Sequence, residues 1–273
     1  MLSFRSPFRL LAALCLLLFV AAACGGDGQA PSPEPILESV CPKAYDDPRQ
    51  SYWVCAVGDR RDMLRTGNLQ GQLALSDLPT SANLIAVGPI RGLKGEITID
   101  QGAVYLSTIL NGEQVVKEGA ETEAIFLAFG AAEAWQGLPI PEPLRGFDAI
   151  EAFLQRAALE AGLDPEQPFP FRITGTPPTL AYHVIFKSGH GGHGQGGHHD
   201  HAAHKKAKVP FDADNRPVSI VGLWADEASI GRYTHEGRRS HMHAILDDRS
   251  GAGHVDALEL SPGMTLYLPM AQN

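Results

Sequence analysis

The sequence predicts an α+β fold, in which mixed β-sheets carry most of the structure and helices are few. Short apolar or alternating stretches rich in β-branched residues recur between residues 95 and 269, and clusters of Gly, Pro and Asp separate them. Only residues 148–161 show a clear helical spacing of apolar positions. The chain has 273 residues, which is enough for one large domain or two small ones.

The N-terminus predicts an export signal. Arg5 and Arg9 precede an apolar run at residues 10–22, which is shorter than the roughly 20 residues of a membrane span. The Ala-Ala-Ala-Cys sequence that ends at Cys24 resembles a bacterial lipobox, and the resemblance implies cleavage before Cys24 and lipidation of its sulfur. Plain secretion is the alternative. Residues 1–23 are therefore assigned as a lipoprotein signal peptide, and the mature protein is expected on the periplasmic or extracellular face of a membrane.

Residues 24–66 are expected to hold a flexible tether and a short cysteine-bearing segment. The tether is rich in Gly, Pro and Ser. Cys41 and Cys55 can pair as a disulfide in an oxidising compartment, with two unpaired thiols as the alternative. The main domain is then assigned to residues 67–270.

The net charge of −9 excludes two kinds of partner. A chain this acidic does not bind nucleic acid or an anionic membrane through its bulk charge. Contact with a membrane is therefore expected through the lipid anchor only. The sequence leaves open whether the protein forms a homodimer.

Within the domain, a hairpin and a helix precede a series of strands. Residues 95–106 alternate apolar and polar side chains around a Gln-Gly turn, which predicts a β-hairpin. The helix at residues 148–161 begins with a capping-box pattern of Asp148 and Glu151, and Gly162 provides a C-terminal stop. Further strands are predicted at residues 169–174, 182–187, 218–224, 240–246, 254–260 and 265–269.

The stretch at residues 188–208 differs from the rest of the domain. It is rich in Gly and His and contains no large apolar side chain, so it is expected to be a mobile inserted loop. Its histidines resemble the metal-collecting tracts of zinc- or copper-handling proteins, and a solvated spacer is the alternative. The histidines assigned as auxiliary metal ligands are His190, His193, His198, His199, His201 and His204.

The pattern His241-x-His243 predicts a metal site. Residues i and i+2 of a β-strand project from the same face, so these two imidazoles can bind one ion. A reversing connection brings His254 back on the neighbouring strand as a third ligand, and Asp256 could share that face as a fourth or supporting group. Three neutral imidazoles suit zinc or another divalent transition metal and leave one coordination position open. Surface histidines on an edge strand are the alternative.

Several segments, taken in order, resemble a known family. They are Gly95-Glu96, Gly102-x-x-Tyr105, Arg172-Ile173-Thr174-Gly175, Ser219-Ile220-Val221-Gly222, and His241-x-His243 followed by Ser250-Gly251-Ala252-Gly253-His254-Val255. From about Leu69 to Pro269 the chain is thereby similar to the α-acetolactate decarboxylases. The histidine block is the most specific part of the resemblance.

The resemblance implies an acetolactate decarboxylase-like fold and a carbon–carbon lyase that converts 2-acetolactate, or a similar 2-hydroxy-3-oxo acid, into acetoin. It also implies that His241, His243 and His254 bind zinc, which stabilises the charge that develops as CO₂ leaves. Glu96 takes the position of a catalytic glutamate and is the expected proton donor. An exposed strand carboxylate is the alternative for Glu96.

Three departures from the family pattern concern residues that handle the substrate. Gly88-Pro89 stands where the family has a Gly-Thr pair. The catalytic arginine of the family falls near His183, which is assigned as an altered catalytic residue, with an ordinary strand residue as the alternative. A carboxylate that the family supplies from a C-terminal extension is expected to be missing, since the sequence ends at Asn273.

Two other functions fit the same residues. One is a non-catalytic zinc- or copper-binding lipoprotein that buffers or delivers metal outside the cytoplasm. The other is a different metal-dependent reaction, such as hydrolysis, on the same scaffold. The decarboxylase hypothesis predicts that Glu96 lies close to the ion. The metal-buffer hypothesis predicts that the His-rich loop is essential and Glu96 dispensable.

Overall fold

The computed structural model describes residues 41, 51–188 and 206–271. The expected signal peptide, the tether with Cys24 and the histidines assigned as auxiliary metal ligands lie outside the described residues. What the sequence indicates for these segments therefore stays a prediction. Neither helix in the described ranges is long and apolar enough to cross a membrane.

The predicted α+β class with few helices is confirmed. In the part of the chain that the structure describes, helix α1 spans Arg60–Thr66 and helix α2 spans Gly146–Glu160. The strands are β1 (Tyr52–Val57), β2 (Leu73–Ala74), β3 (Leu84–Pro89), β4 (Glu96–Asp100), β5 (Ala103–Leu110), β6 (Glu113–Glu118), β7 (Glu123–Ala124), β8 (Leu127–Ala132), β9 (Trp135–Pro139), β10 (Leu144–Arg145), β11 (Phe169–Gly175), β12 (Thr179–Ile185), β13 (Lys208–Asp212), β14 (Val218–Trp224), β15 (Ser240–Leu246), β16 (Ala252–Leu260) and β17 (Thr265–Pro269).

These strands form two large sheets and one small one. The first sheet has the order β1-β8-β3-β4-β5-β6, and the second has the order β13-β12-β16-β15-β14-β11-β17-β9, with β10 paired to β16. Strands β2 and β7 pair separately. The two large sheets contact each other through β3 and β4 of the first and β14, β15 and β16 of the second. Side chains between these strands are therefore shielded from water on both sides.

Strand β4 is buried on both faces, and its alternation decides what each face carries. Ile97 and Ile99 belong to an apolar cluster on the outer face of the first sheet. Glu96, Thr98 and Asp100 project toward the second sheet, where each makes a polar contact. We call these three residues the polar seam, because they place hydrogen-bonding groups within an otherwise apolar interface.

The predicted hairpin is confirmed as β4 and β5, joined by Gln101 and Gly102. Both turn residues have positive φ values, 49° and 78°, as two-residue hairpin turns favour. A side chain at Gly102 would also meet the Ser81 carbonyl oxygen at 2.6 Å. Glycine is therefore required at the second turn position by both conformation and space.

Helix α2 confirms the predicted helix, but it begins at Gly146 and its predicted capping box is wrong. The N-cap residue is Arg145, whose side chain caps nothing, and Glu151 instead accepts hydrogen bonds from the backbone and hydroxyl of Ser240. Gly162 follows the helix with a φ of 80°, as predicted for a C-terminal stop. The apolar face of the helix consists of Ile150, Phe153, Leu154, Ala157 and Ala158.

The first sheet extends further toward the N-terminus than the sequence indicated. Strand β1 pairs with β8 along its whole length, and α1 follows it directly. Residues 52–66, which precede the predicted domain start at residue 67, thus contribute a strand to the first sheet and the helix that follows it. At the predicted insertion, Ile185 of β12 pairs with Lys208 of β13, so the His-rich stretch connects two neighbouring strands.

A buried ion pair links the two large sheets. Arg172 of β11 donates from Nε to Asp100 Oδ1 at 2.5 Å and from Nη2 to Asp100 Oδ2 at 2.9 Å. Both side chains are at most 10% exposed. Each charge is therefore compensated chiefly by the other, and the pair fixes the Asp100 end of β4 against β11.

We expect Asp100→Ala to lower the free energy of unfolding by about 3–5 kcal/mol, because it leaves the Arg172 guanidinium buried without its partner. Urea denaturation followed by circular dichroism measures this loss. Arg65→Ala is the control, since it breaks an exposed pair with Asp62 and should cost less than about 1 kcal/mol. Equal losses in the two variants would contradict the role given to the buried pair.

Candidate metal centre

Strands β15 and β16 bring the three predicted metal ligands side by side. Their antiparallel register pairs His243 with His254. His241 lies two residues before His243, on the same face of β15. On the other side of β16, His183 of β12 is also paired with His254. The imidazoles of three adjacent strands therefore meet, and the polar seam of β4 lies opposite them.

The rings of His241, His243 and His254 are neighbours within this cluster. Their centroids lie 5.1 Å apart for His241 and His243, 5.0 Å for His241 and His254, and 5.5 Å for His243 and His254. Imidazoles that share a zinc ion at about 2.0–2.1 Å have centroids roughly 5 Å apart. We refer to these three residues as the histidine trio.

Each ring of the trio has one buried nitrogen that lacks a hydrogen-bond partner among the described residues. These atoms are His241 Nδ1, His243 Nε2 and His254 Nδ1. Buried polar atoms nearly always have a partner, so three such nitrogens in one cluster indicate a ligand that takes up lone pairs. A divalent cation is such a ligand, and the trio fits it.

Hydrogen bonds on the other ring nitrogens orient two members of the trio. His243 Nδ1 lies 3.0 Å from Thr98 Oγ1 of the polar seam. His254 Nε2 lies 2.9 Å from Nε2 of His235, a residue in the connection between β14 and β15. Metal-binding histidines usually have such a partner on the nitrogen that does not bind the ion. Neighbouring side chains therefore fix the orientation of the His243 and His254 rings as well as bury them.

Burial keeps the trio in the form that binds metals. It lowers the pKa of His243 to about 3 and lowers the pKa values of His241 and His254 well below their ordinary value, with repulsion between neighbouring imidazoles as a further cause. At neutral pH all three rings are neutral and keep a free lone pair.

Glu96 lies beside the trio and is buried, with 4% of its surface exposed. The alternative of an exposed strand carboxylate is therefore wrong. Its Oε1 accepts a hydrogen bond from the Ile185 backbone at 3.1 Å, and its Oε2 lies 3.9 Å from His243 Nε2. Burial raises the pKa of Glu96 well above its ordinary value. The carboxyl group nearest the trio is thus one that holds a proton at unusually high pH.

His183 connects Glu96 to a second carboxylate. Its Nδ1 lies 2.7 Å from Asp256 Oδ2, and its Nε2 lies 3.9 Å from Glu96 Oε1. Asp256 also accepts a hydrogen bond from Lys208 at 2.9 Å. Burial lowers the pKa of His183, while His183 and Lys208 hold the pKa of Asp256 at about 2, against the opposing effect of its own burial. Because Asp256 is ionised, the proton of neutral His183 is best placed on Nδ1.

A second set of residues, which overlaps with the trio, has ligating atoms at the spacing of metal ligands. Ligating atoms of His183, His254 and Asp256 lie within 4.8 Å of one another. His254 belongs to both sets, so they describe alternative positions for an ion in one region. The spacing of ligating atoms favours this second set. The trio is favoured by its three nitrogens that lack a hydrogen-bond partner among the described residues, whereas Asp256 is already paired with His183 and Lys208.

His241 and His254 of the trio, together with Glu96, border a small cavity of about 30 Å³, roughly the room of one or two small polar groups. Arg60 of α1 and His235 also line it, and the sequence analysis assigned a role to neither. His235 and His254 line a neighbouring pocket of about 330 Å³ as well. No local pattern marks Arg60, because α1 lies outside the predicted domain and reaches the site only through the fold.

Cys41 and Cys55 form a disulfide, with a Cα–Cα distance of 5.7 Å. Cys55 is on β1, and both cysteines pack with Phe129 in the apolar cluster on the outer face of the first sheet. The disulfide is therefore on the face opposite the polar seam and has no part in the candidate site.

The architecture is shared with solved structures of α-acetolactate decarboxylases. That of Bacillus subtilis strain 168 matches with a TM-score of 0.62 at 17% identity, over 80% of this chain and 85% of that one. That of Bacillus subtilis subspecies spizizenii matches with a TM-score of 0.61 at 18% identity, over 80% and 86%. A Staphylococcus aureus protein of unknown function, described as similar to α-acetolactate decarboxylase, gives 0.61 at 16% identity, over 78% and 83%.

No protein-family model and no curated protein sequence matches the chain. At identities this low the structural likeness establishes the fold alone. The predicted acetolactate decarboxylase-like fold is thereby confirmed.

The two overlapping ligand sets can be separated by zinc content. We expect a chain without residues 189–204 to bind one zinc ion, because the deletion shortens only the connection between β12 and β13. In this background His243→Ala should weaken zinc binding about 100-fold or more, since His243 belongs only to the trio. Asp256→Asn, which alters only the other set, should lose at most the 10–100-fold expected of a supporting group. Zinc titration with a competing chelator measures both, and a larger loss in Asp256→Asn would favour the other set.

The metal-free protein should lose stability as the pH falls from about 7.5 to about 5. Histidines titrate near pH 6.5 when unfolded, whereas burial lowers the pKa values of His235 and His243 to about 3 and also lowers those of His183, His241 and His254. The unfolded chain therefore binds more protons than the folded chain in this pH range. The raised pKa of Glu96 has the opposite effect on stability, but Glu96 is a single group. The urea midpoint measures the effect. His243→Asn should show a shallower slope, and a midpoint that rises on acidification would contradict the prediction.

Proposed function

We propose that this chain is a divalent-metal-dependent carbon–carbon lyase and a divergent member of the α-acetolactate decarboxylase family. Its proposed substrate is 2-acetolactate or a similar 2-hydroxy-3-oxo acid, and its product is acetoin. The observation that carries the proposal is the set of three unpartnered imidazole nitrogens next to the Glu96 carboxyl group. The fold supports it, since two solved Bacillus decarboxylases share that fold, although a fold alone does not fix an activity.

Zinc fits the proposed donor set, because three neutral imidazoles with an open position are typical of catalytic zinc sites. Another divalent transition metal would fit the same nitrogens. When bound, such an ion supplies Lewis-acid stabilisation of negative charge on substrate oxygen atoms. His241, His243 and His254 would hold it, and Thr98 would keep the His243 ring in its orientation.

Glu96 is the proposed proton donor. Its raised pKa lets it hold a proton at a pH where an exposed glutamate is ionised. The Ile185 backbone fixes Oε1, so Oε2 remains available on the side of the trio. Once CO₂ has left, a donor on that side can deliver its proton to the product carbon.

His183 is proposed to position Glu96 rather than to touch the substrate. With its proton on Nδ1, donated to Asp256, His183 presents an unprotonated Nε2 to Glu96 Oε1. A lone pair there favours the protonated form of Glu96. This arrangement uses a histidine where the family pattern has an arginine, so His183 does not supply a permanent positive charge.

We also propose that the protein works outside the cytoplasm. Its mature N-terminus would be a lipidated Cys24, attached to the domain through the Gly- and Pro-rich tether. The His-rich stretch between β12 and β13 would collect metal ions near the site. The acidic charge supports a membrane association that depends on the lipid alone.

The proposal is tested by an acetoin assay on zinc-loaded protein that lacks residues 1–24. We expect the wild-type chain to form acetoin from 2-acetolactate. Glu96→Gln should lower kcat about 10²–10⁴-fold, as loss of a general acid does, while the zinc content stays unchanged. Glu113→Gln is the control, because Glu113 is exposed at the start of β6.

Two outcomes would contradict the proposal. Full activity in Glu96→Gln would remove the assigned proton donor. A wild-type chain that binds one ion and forms no acetoin, when loaded with zinc, cobalt or manganese in turn, would favour a non-catalytic metal-binding lipoprotein.

A further inference from the structure

Arg60 is a buried arginine, and none of the carboxylates in the described part of the chain contacts it to neutralise its charge. It is the first residue of α1, is 8% exposed, and lines the cavity next to Glu96, His241 and His254. Its guanidinium Nη2 lies 3.4 Å from Nδ1 of His235. Among the described residues, this is the hydrogen-bond contact of the Arg60 side chain, and no carboxylate lies within ion-pair distance of it.

Among the described residues, a second buried arginine shows what such a group normally requires. Arg172 is buried to a similar degree, and two parallel hydrogen bonds to Asp100 compensate its charge. An arginine side chain keeps its charge in proteins and presents a planar set of donors that matches a carboxylate. Burial of such a charge without an anion is unfavourable. Burial also lowers the pKa of Arg60, and Glu236 opposes this only from a distance.

Ion binding by the trio would leave Arg60 with even less compensation. If His254 Nδ1 binds an ion, the proton of its ring is on Nε2 and is donated to His235 Nε2. Neutral His235 then carries its own proton on Nδ1, the atom that faces the Arg60 guanidinium. Two N–H groups cannot hydrogen bond to each other, so the guanidinium would need another acceptor within the cavity.

We infer that Arg60 binds the carboxylate of an organic acid whose other oxygen atoms lie at the metal centre. The inference rests on the proposed function, and it adds a specificity residue from α1, which precedes the part of the sequence that resembles the family. It also accounts for the departure at position 183, because the cation that His183 cannot supply reaches the cavity from another element. The substrate class is therefore a small anionic 2-oxygenated acid, and the corresponding neutral alcohol should bind poorly.

The predicted kinetic effect distinguishes binding from chemistry. The carboxylate charge leaves that group as CO₂ departs, so Arg60 interacts more strongly with the substrate than with the transition state. An interaction of this kind lowers KM and does not raise kcat. Arg60→Met should therefore raise KM at least about tenfold and should not lower kcat.

The test uses two probes that cannot be decarboxylated to acetoin. One is 2,3-dihydroxy-2-methylbutanoate, which carries a carboxylate, and the other is 2-methylbutane-2,3-diol, which does not. Calorimetric titration of the zinc-loaded mature chain should give an affinity for the acid at least about tenfold higher than for the diol. Arg60→Met should remove most of this difference and leave the affinity for the diol and the zinc content unchanged. Arg65→Met is the matched control, since Arg65 is on the same helix, is exposed and pairs with Asp62.

An Arg60→Met chain that binds zinc and the acid as the wild type does would overturn the inference. If Arg60→Met fails to fold, judged by circular dichroism, the same titration of Arg60→Gln decides, because glutamine keeps a polar side chain without the charge. If acid binding depends on Arg60 but the chain forms no acetoin, the anion site is supported and the decarboxylase proposal is contradicted. Acetoin formation with an unchanged KM in Arg60→Met would remove the anion site alone.

Discussion

The antiparallel pairing of β15 with β16 is the constraint on which the candidate site depends. It sets His243 opposite His254, while the two-residue period of β15 adds His241 on the same face. A shift of one residue in this pairing would turn the imidazoles to opposite faces and leave no cluster. The register is specified locally, because both strands are buried on both faces near the histidines and pack in the apolar core.

Electrostatics explains why the site is placed between two sheets rather than on a surface. Burial keeps the trio neutral and raises the pKa of Glu96, so these groups bring little negative charge to the cavity. The positive charge comes from Arg60 and from the ion that the trio would bind. The two buried arginines of the described residues therefore have different roles. Arg172 pairs with a carboxylate of the protein and joins the sheets, whereas Arg60 faces a cavity.

Strands with strong periodicity and a helix with a clear apolar face were predictable from the sequence, because their signals are local. The bounds of β14, β15 and β17 are as predicted. The proximity of His241, His243 and His254 was also predictable, because two adjacent strands joined by a short connection carry them. Residues 52–66 were missed, since β1 gains its stability from pairing with β8, about seventy residues away. For the same reason no pattern marked Arg60 or Thr98, whose surroundings exist only after the two sheets pack together.

The alternation of β4 limits how this protein can change during evolution. Substitution at Ile97 or Ile99 alters only the outer apolar cluster. Insertion or deletion of a single residue in the strand would instead exchange the two faces. Isoleucines would then point at the histidines, and Glu96 would lie in the apolar cluster. Length variation in this segment should therefore be confined to the Gln101–Gly102 turn or occur in steps of two, even among relatives whose sequences have otherwise diverged widely.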